Sequence, residues 1–191
     1  MKKKVIILGV GALGSHVTYL LRNEADLKVC DFDRIEMKNV LAQFHFKGSV
    51  SKNKAIALKD GIKFLFGKVI EAVPYKFDLN NVKEICSNTD LVIDCFDNGE
   101  SRRLVQDYCH INRKPCLHGA LSADGTFGRV IWNEEFRIDD EPKSGTPTCE
   151  GGEHLPFISI VSGFIAKAAQ EFLTSKKKVS YNVYSGGAKQ V

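Results

Sequence analysis

The residues GVGALG at 9–14 stand between a short apolar run and a segment of helical period. In that context Gly9 permits a tight turn, Gly11 lets the backbone come close to a phosphate, and Gly14 lets the following helix pack on its strand. The helix N-terminus adds unpaired N–H groups and a dipole that favours an anion. Asp31 closes the next apolar run, where a carboxylate can accept hydrogen bonds from ribose hydroxyls. That role serves NAD and ATP equally. Further on, DCFDN at 94–98 puts Asp97 and Asn98 at the carboxyl end of a fourth strand, the ligand edge of such sheets. A nicotinamide has no need of a carboxylate there, whereas a magnesium-bound triphosphate calls for an oxygen ligand of this kind. Lys52 and Lys54, in SVSKNKA at 49–55, precede a helix and supply cations.

The elements that must position these residues are legible from periodicity. Apolar runs at 5–9, 27–32, 68–73 and 91–96 are short and β-branched. Segments of helical period at 12–24, 52–66 and 99–112 separate them. Strands alternating with helices imply βαβ units and a parallel sheet buried on both faces. After PCLHGAL (115–121), the turn SADG leads into TFGRVIW (126–132), a hairpin spacing that turns the far side of the sheet antiparallel. Residues 133–155 form a long loop without periodicity, 156–175 a helix with Pro156 in its first turn, and VSYNVY (179–184) a last strand. The expected fold is therefore α/β: a Rossmann-like mixed sheet, parallel in its N-terminal half and antiparallel in its C-terminal half, with helices on both faces. A length of 191 residues fits a single domain, 1–191.

Composition excludes several classes. With 43% hydrophobic and 26% charged residues the chain reads as neither disordered nor a membrane protein, and no apolar run is expected to approach the roughly 18 residues of a span. The lysines at 2–4 and 176–178 account for much of the +4 net charge and read as solvated ends, so no nucleic-acid partner is inferred. The apolar run after Lys4 contains the glycine turn and lacks a small-residue cleavage site, which predicts a buried strand and a cytoplasmic protein. Six cysteines include no Cys-x-x-Cys pair, so neither zinc nor a disulfide framework is expected. Cys149 differs from the rest in lying in the polar 133–155 loop.

GVGALGS, DFDRIEMKNVLAQF, SKNKA and LVIDCFDNGESRR, in this order and spacing, closely resemble the ThiF/MoeB/HesA superfamily of ubiquitin-activating-type adenylyltransferases. The resemblance runs from about Val5 to Ser175. It implies that Gly9, Gly11 and Gly14 line the phosphate turn and that Asp31 holds the ATP ribose. Asp33, Asn39 and Gln43 shape the site, Lys54 contacts the phosphates, Asp97 ligates magnesium with Asn98 beside it, and Arg102 matches an arginine on the next helix. The implied substrate is the C-terminal glycine carboxylate of a small β-grasp protein, a sulfur carrier or ubiquitin-like protein ending in Gly-Gly. That carboxylate attacks ATP to give an acyl-adenylate and pyrophosphate. Loop 133–155 becomes the crossover segment, Cys149 matches a position where some members capture the activated carrier, and a homodimer is expected.

The chain also departs from the pattern. Members read N-L-x-R-Q where this chain reads Asn39-Val40-Leu41-Ala42-Gln43, with alanine in place of the arginine that helps neutralise the triphosphate. Lys47, Lys52 or a partner's arginine are the candidate substitutes. Two further readings stand beside the enzyme: a non-catalytic, carrier-binding adapter of the same fold, and an NAD-dependent oxidoreductase. SGGAKQV at the C-terminus reads as a flexible end.

Overall fold

In the computed structural model, residues 2–138 and 152–191 are described. Strand β1 (Lys4–Leu8) is the centre from which the fold is best built, because KVIIL has no polar side chain after Lys4 and Val5–Leu8 are wholly buried. Strand side chains alternate between faces. Val5 and Ile7 accordingly enter one core cluster, and Ile6 and Leu8 enter the other. A strand with apolar residues at every position therefore demands cover on both sides, and the helices supply it.

β1 pairs in parallel with β2 (Asp26–Cys30) and β4 (Leu91–Asp94). β2 pairs with the short β3 (Glu71–Val73), and β4 with β5 (Cys116–Leu121), also in parallel. From there β6 (Phe127–Trp132), β7 (Tyr181–Tyr184) and β8 (Gly187–Gln190) are antiparallel. The eight-stranded order is β3-β2-β1-β4-β5-β6-β7-β8. Helices α1 (Ala12–Leu21), α2 (Lys54–Phe66) and α5 (Leu155–Ser175) bury Val17, Leu58, Ile158 and Ile165 in the larger cluster. Helices α3 (Val82–Cys86) and α4 (Gly99–Ile111) bury Ile85, Val105 and Cys109 in the smaller one. The α/β class, the parallel-to-antiparallel change and the helices on both faces are as the periodicity predicts.

Three elements differ from expectation. SGGAKQV is a strand rather than a flexible end, since a glycine-containing turn folds β8 back on β7 with Tyr181 opposite Gln190. Helix α3 is too short, at five residues, to show a helical period. The segment Gly152–Ser175 is long and apolar enough to cross a membrane, with a mean hydropathy of 1.2, contrary to the expectation that nothing approached a span. Half of its most apolar 18-residue stretch is buried, and Phe157, Val161, Ile165 and Phe172 are turned into the core. Its apolarity is accounted for by packing within the fold.

The topology sets the site. β2 and β4 flank β1 on opposite sides and run parallel to it, so the loops that leave these three strands emerge at one carboxyl edge. Ligands of open α/β sheets bind where neighbouring strands connect in opposite directions. Gly9–Gly11, Asp31–Asp33 and Cys95–Asn98 all leave that edge.

Candidate functional site

The glycine turn is built from two steric necessities and one open space. Gly9 has φ +79°, and a Cβ on it would lie 3.0 Å from the Cys95 carbonyl oxygen. A Cβ on Gly14 would lie 1.9 Å from the Gly9 carbonyl oxygen, so only glycine lets α1 start this close to β1. A Cβ on Gly11 would meet nothing nearer than the Gln43 amide nitrogen at 4.0 Å. Packing does not require a glycine there; the space left over Gly11 suits a ligand approaching the backbone. Gly11 is also the N-cap of α1 and no side chain caps that helix. Its leading N–H groups are left for an anion.

Asp31 ties the turn to β2. Val10 N–H donates to its Oδ2 at 2.8 Å and Asp33 N–H to its Oδ1 at 2.9 Å. Each oxygen keeps a second lone pair for a ribose hydroxyl. Burial pushes this carboxyl above the ordinary aspartate range, while the charge of Lys54 and the two N–H groups act against that shift. Lys54 opens α2 and places its Nζ 3.2 Å from Asp33 Oδ2. Asn53, which the sequence motifs do not single out, holds both segments in place. Its side chain caps α2 by accepting from Ile56 N–H, and it donates to the carbonyls of Asp31 and Asp33. An asparagine just before a helical period is an N-cap signal that was there to be read.

Asn39 and Gln43 come from the single-turn 3-10 helix Met37–Leu41 and its exit. Asn39 Oδ1 accepts from Glu36 N–H at 2.8 Å, and its carbonyl accepts from the N–H groups of Ala42 and Gln43. It shapes this segment from within. Gln43 is only 5% exposed and its Oε1 has no hydrogen-bond partner. Ala42 has its methyl wholly enclosed in the larger core cluster. An arginine introduced there would enter packed core before reaching the turn, so Ala42→Arg tests overpacking as much as phosphate binding. Lys47 and Lys52 are exposed.

His45 is a second residue that the motifs miss, and no spacing rule marks it. It is 5% exposed; its Nε2 donates to the Val10 carbonyl at 2.9 Å, and its Nδ1 is buried without a partner. Burial pushes its pKa down to about 4, and the nearby charges of Lys54 and His16 act in the same direction, against the bond to Val10. Because the folded value lies below the unfolded one near 6.5, the unfolded chain takes up the proton first. This contribution to stability is whole above about pH 6.5 and declines as the pH falls towards 4. At pH 5 it should have lost about 2 kcal/mol. Asp31, with its raised carboxyl, tilts stability the other way, so the informative quantity is a difference. Urea unfolding midpoints of wild type and His45→Gln, compared at pH 7 and pH 5, should show the wild type losing more. Equal losses would dispose of the shift.

Around β4 the expected residues divide. Asp97 is exposed at the carboxyl edge and has no hydrogen bond or ion pair among the described residues. A single free carboxylate fits a magnesium ion that takes its other ligands from phosphates and water. Asn98 caps α4, accepting from Ser101 N–H at 2.9 Å. Arg102 is held by partners within the protein. Its Nη2 donates to the Gly119 carbonyl at 2.8 Å, and Nη1 lies 4.0 Å from the wholly buried Asp94. The reason is electrostatic, since burial pushes the Asp94 carboxyl up and the charge of Arg102, with His118 and Phe96 N–H, outweighs it and holds it below the usual range. Cys116 Sγ, His118 and Asp94 also line up, with contacts of 3.4 and 2.8 Å. This is no nucleophile triad: Cys116 is 1% exposed and burial raises its thiol well above the ordinary value. Among the described residues no group of three or more His, Cys, Asp or Glu could hold a metal ion. Cys149 and the centre of the 133–155 loop lie outside the described residues.

The chain is 32% identical over 174 residues to the "Adenylyltransferase and sulfurtransferase MOCS3" of Caenorhabditis briggsae, covering 85% of this chain and 43% of that protein. It is 31% identical over 125 residues to the "SAMP-activating enzyme E1" of Haloferax volcanii, covering 63% of this chain and 46% of that protein. The chain thus spans less than half the length of these relatives. Among solved structures, E. coli MccB with ATP superposes with a TM-score of 0.76 over 99% of this chain and 62% of that one, at 16% identity, a likeness of fold alone. The ThiF family model matches residues 1–187, nearly the whole chain. The chain belongs to the ThiF family.

Proposed function

We propose that the protein is an ATP-dependent adenylyltransferase acting on the C-terminal glycine carboxylate of a small sulfur-carrier or ubiquitin-like protein. The observation that carries this reading is the uncapped start of α1 beside Lys54, with Asp31 and Asp33 holding both in register and open space over Gly11. Two relatives named as an adenylyltransferase and an activating enzyme support it.

The chemistry asks little of the side chains. A carboxylate is already ionised and needs no general base. It attacks the α-phosphorus of ATP, a C–O–P link forms as the bond to the pyrophosphate oxygen breaks, and the electron pair leaves with pyrophosphate. Catalysis then rests on alignment and charge neutralisation. Asp31 orients the ribose, the α1 N–H groups and Lys54 meet phosphate charge, and Asp97 would hold a magnesium ion that supplies further neutralisation. Onward transfer through Cys149 and a homodimeric assembly belong to the same proposal, as does a cytoplasmic setting where ATP is the co-substrate.

The test is pyrophosphate exchange into ATP by the purified chain with a candidate carrier ending in Gly-Gly. Exchange should require both the carrier and magnesium, and Asp97→Ala should lower it about 100-fold with the fold intact. One observation favours the adapter reading, the enclosed Ala42 where the family's arginine stands. Carrier binding with no exchange would establish that reading instead. NAD binding without ATP binding would favour the oxidoreductase.

A further inference from the structure

The backbone of the glycine turn is pinned on two successive peptides. Val10 N–H, in the peptide joining Gly9 to Val10, donates to Asp31 Oδ2 at 2.8 Å. The Val10 carbonyl, in the next peptide, accepts from His45 Nε2 at 2.9 Å. A planar trans peptide points its C=O and N–H in opposite directions. Whatever fixes the Val10 carbonyl therefore also fixes the Gly11 N–H on the far side of the same plane. Gly9 and Gly11 flank Val10, so this stretch has unusual freedom to rotate, and Gly9 already sits at φ +79°. No side chain caps α1, and among the described residues the Gly11 N–H has no hydrogen-bond acceptor.

Resting on the nucleotide reading above, we infer that His45 is a positioning residue for the anion-binding turn, aiming and polarising the Gly11 N–H for phosphate through the Val10 carbonyl. Hydrogen bonds in a chain strengthen one another, so a donor on the carbonyl makes the opposite N–H a better donor in turn. The groups facing the ring agree with this role. Lys54 on α2 and His16 on α1 both act to keep it uncharged, while Asp33 pairs with Lys54 and Asp31 holds the neighbouring N–H. A neutral ring whose Nε2 donates carries its lone pair on Nδ1, and that atom is buried with no partner. An apolar side chain would fill the same space without that cost. The imidazole does what leucine cannot, which is to donate to Val10.

Two substitutions separate donation from packing. His45→Leu keeps an apolar body and removes the donor, whereas His45→Gln restores an N–H. Binding of ATP to each purified protein is measured by calorimetry, and the Gly11 amide is followed by 1H–15N NMR. His45→Leu should weaken ATP binding about tenfold and move the Gly11 amide resonance, with thermal unfolding still cooperative. His45→Gln should bind within about threefold of wild type. Equal binding by wild type and His45→Leu, or equal weakening in both variants, would overturn the inference. A wild type that binds no ATP overturns the nucleotide reading, and the phosphate half of this inference with it. A Gly11 amide unmoved in His45→Leu overturns the positioning role while leaving ATP binding standing.

Discussion

Lys54→Ala should lower carrier-dependent pyrophosphate exchange by two to three orders of magnitude while the protein stays folded. A charge-assisted contact to phosphate that strengthens as charge shifts in the transition state is commonly of this size. The position is unusually well set for it. Lys54 is the first residue of α2, where the Asn53 cap fixes the helix start, and its Nζ reaches Asp33 from a mostly buried stem. Lys54→Arg makes the sharper comparison. It keeps the charge but presents a planar fork in a site shaped around a compact ammonium, and should recover only part of the rate. Steady-state rates with saturating carrier, against ATP concentration, read the result. If Lys54→Ala exchanges like wild type, the phosphate charge is met elsewhere and the role assigned to α2 fails.

Gly14→Ala should be the most damaging glycine-to-alanine change among the described residues. The added carbon would sit 1.9 Å from the Gly9 carbonyl oxygen, 3.0 Å from its carbon and 3.3 Å from the Cys95 side chain. The nearest contacts are backbone on the strand-to-helix turn, which cannot rotate aside, so α1 must move off β1. Overpacking of a rigid core typically costs about 1–3 kcal/mol, and a backbone clash of this depth belongs at or above the upper end. For a chain of this size about 3 kcal/mol lowers the unfolding temperature by roughly 10 °C. Gly11→Ala provides the contrast, since its methyl would meet only the Gln43 amide at 4.0 Å. It should stay much closer to wild type in melting temperature and lose ATP affinity instead. Similar melting temperatures for the two variants would refute the division between packing glycine and ligand glycine.

That division shows how far a linear motif reaches. The spacing of Gly9, Gly11 and Gly14, the apolar strands and the carboxylates at strand ends were legible because each is a local rule: a turn needing positive φ, a period of two, an acid at the ligand edge. The change from parallel to antiparallel strands followed from the alternating elements and the hairpin spacing, whereas the order of the strands came only from the structure. What Arg102 binds within the protein was not legible, because its partner, Asp94, looked like one more strand residue. Only the fold shows that carboxylate sealed against His118 and in need of a guanidinium. The C-terminal glycines looked loose, since nothing local reveals a β7 edge waiting to be paired.

The sequence by itself determined the class of the fold, the glycine turn and the carboxylates around it, because those depend on residue type and on neighbours a few positions away. The tertiary structure decided what each polar group does once water is removed. Ala42 proved to be enclosed core, Asn53 a clasp between two loops, and His45, thirty-five positions from Val10, a grip on the turn's own backbone. Desolvation and hydrogen-bond geometry across distant segments make those assignments, and neither is written in the spacing of the chain.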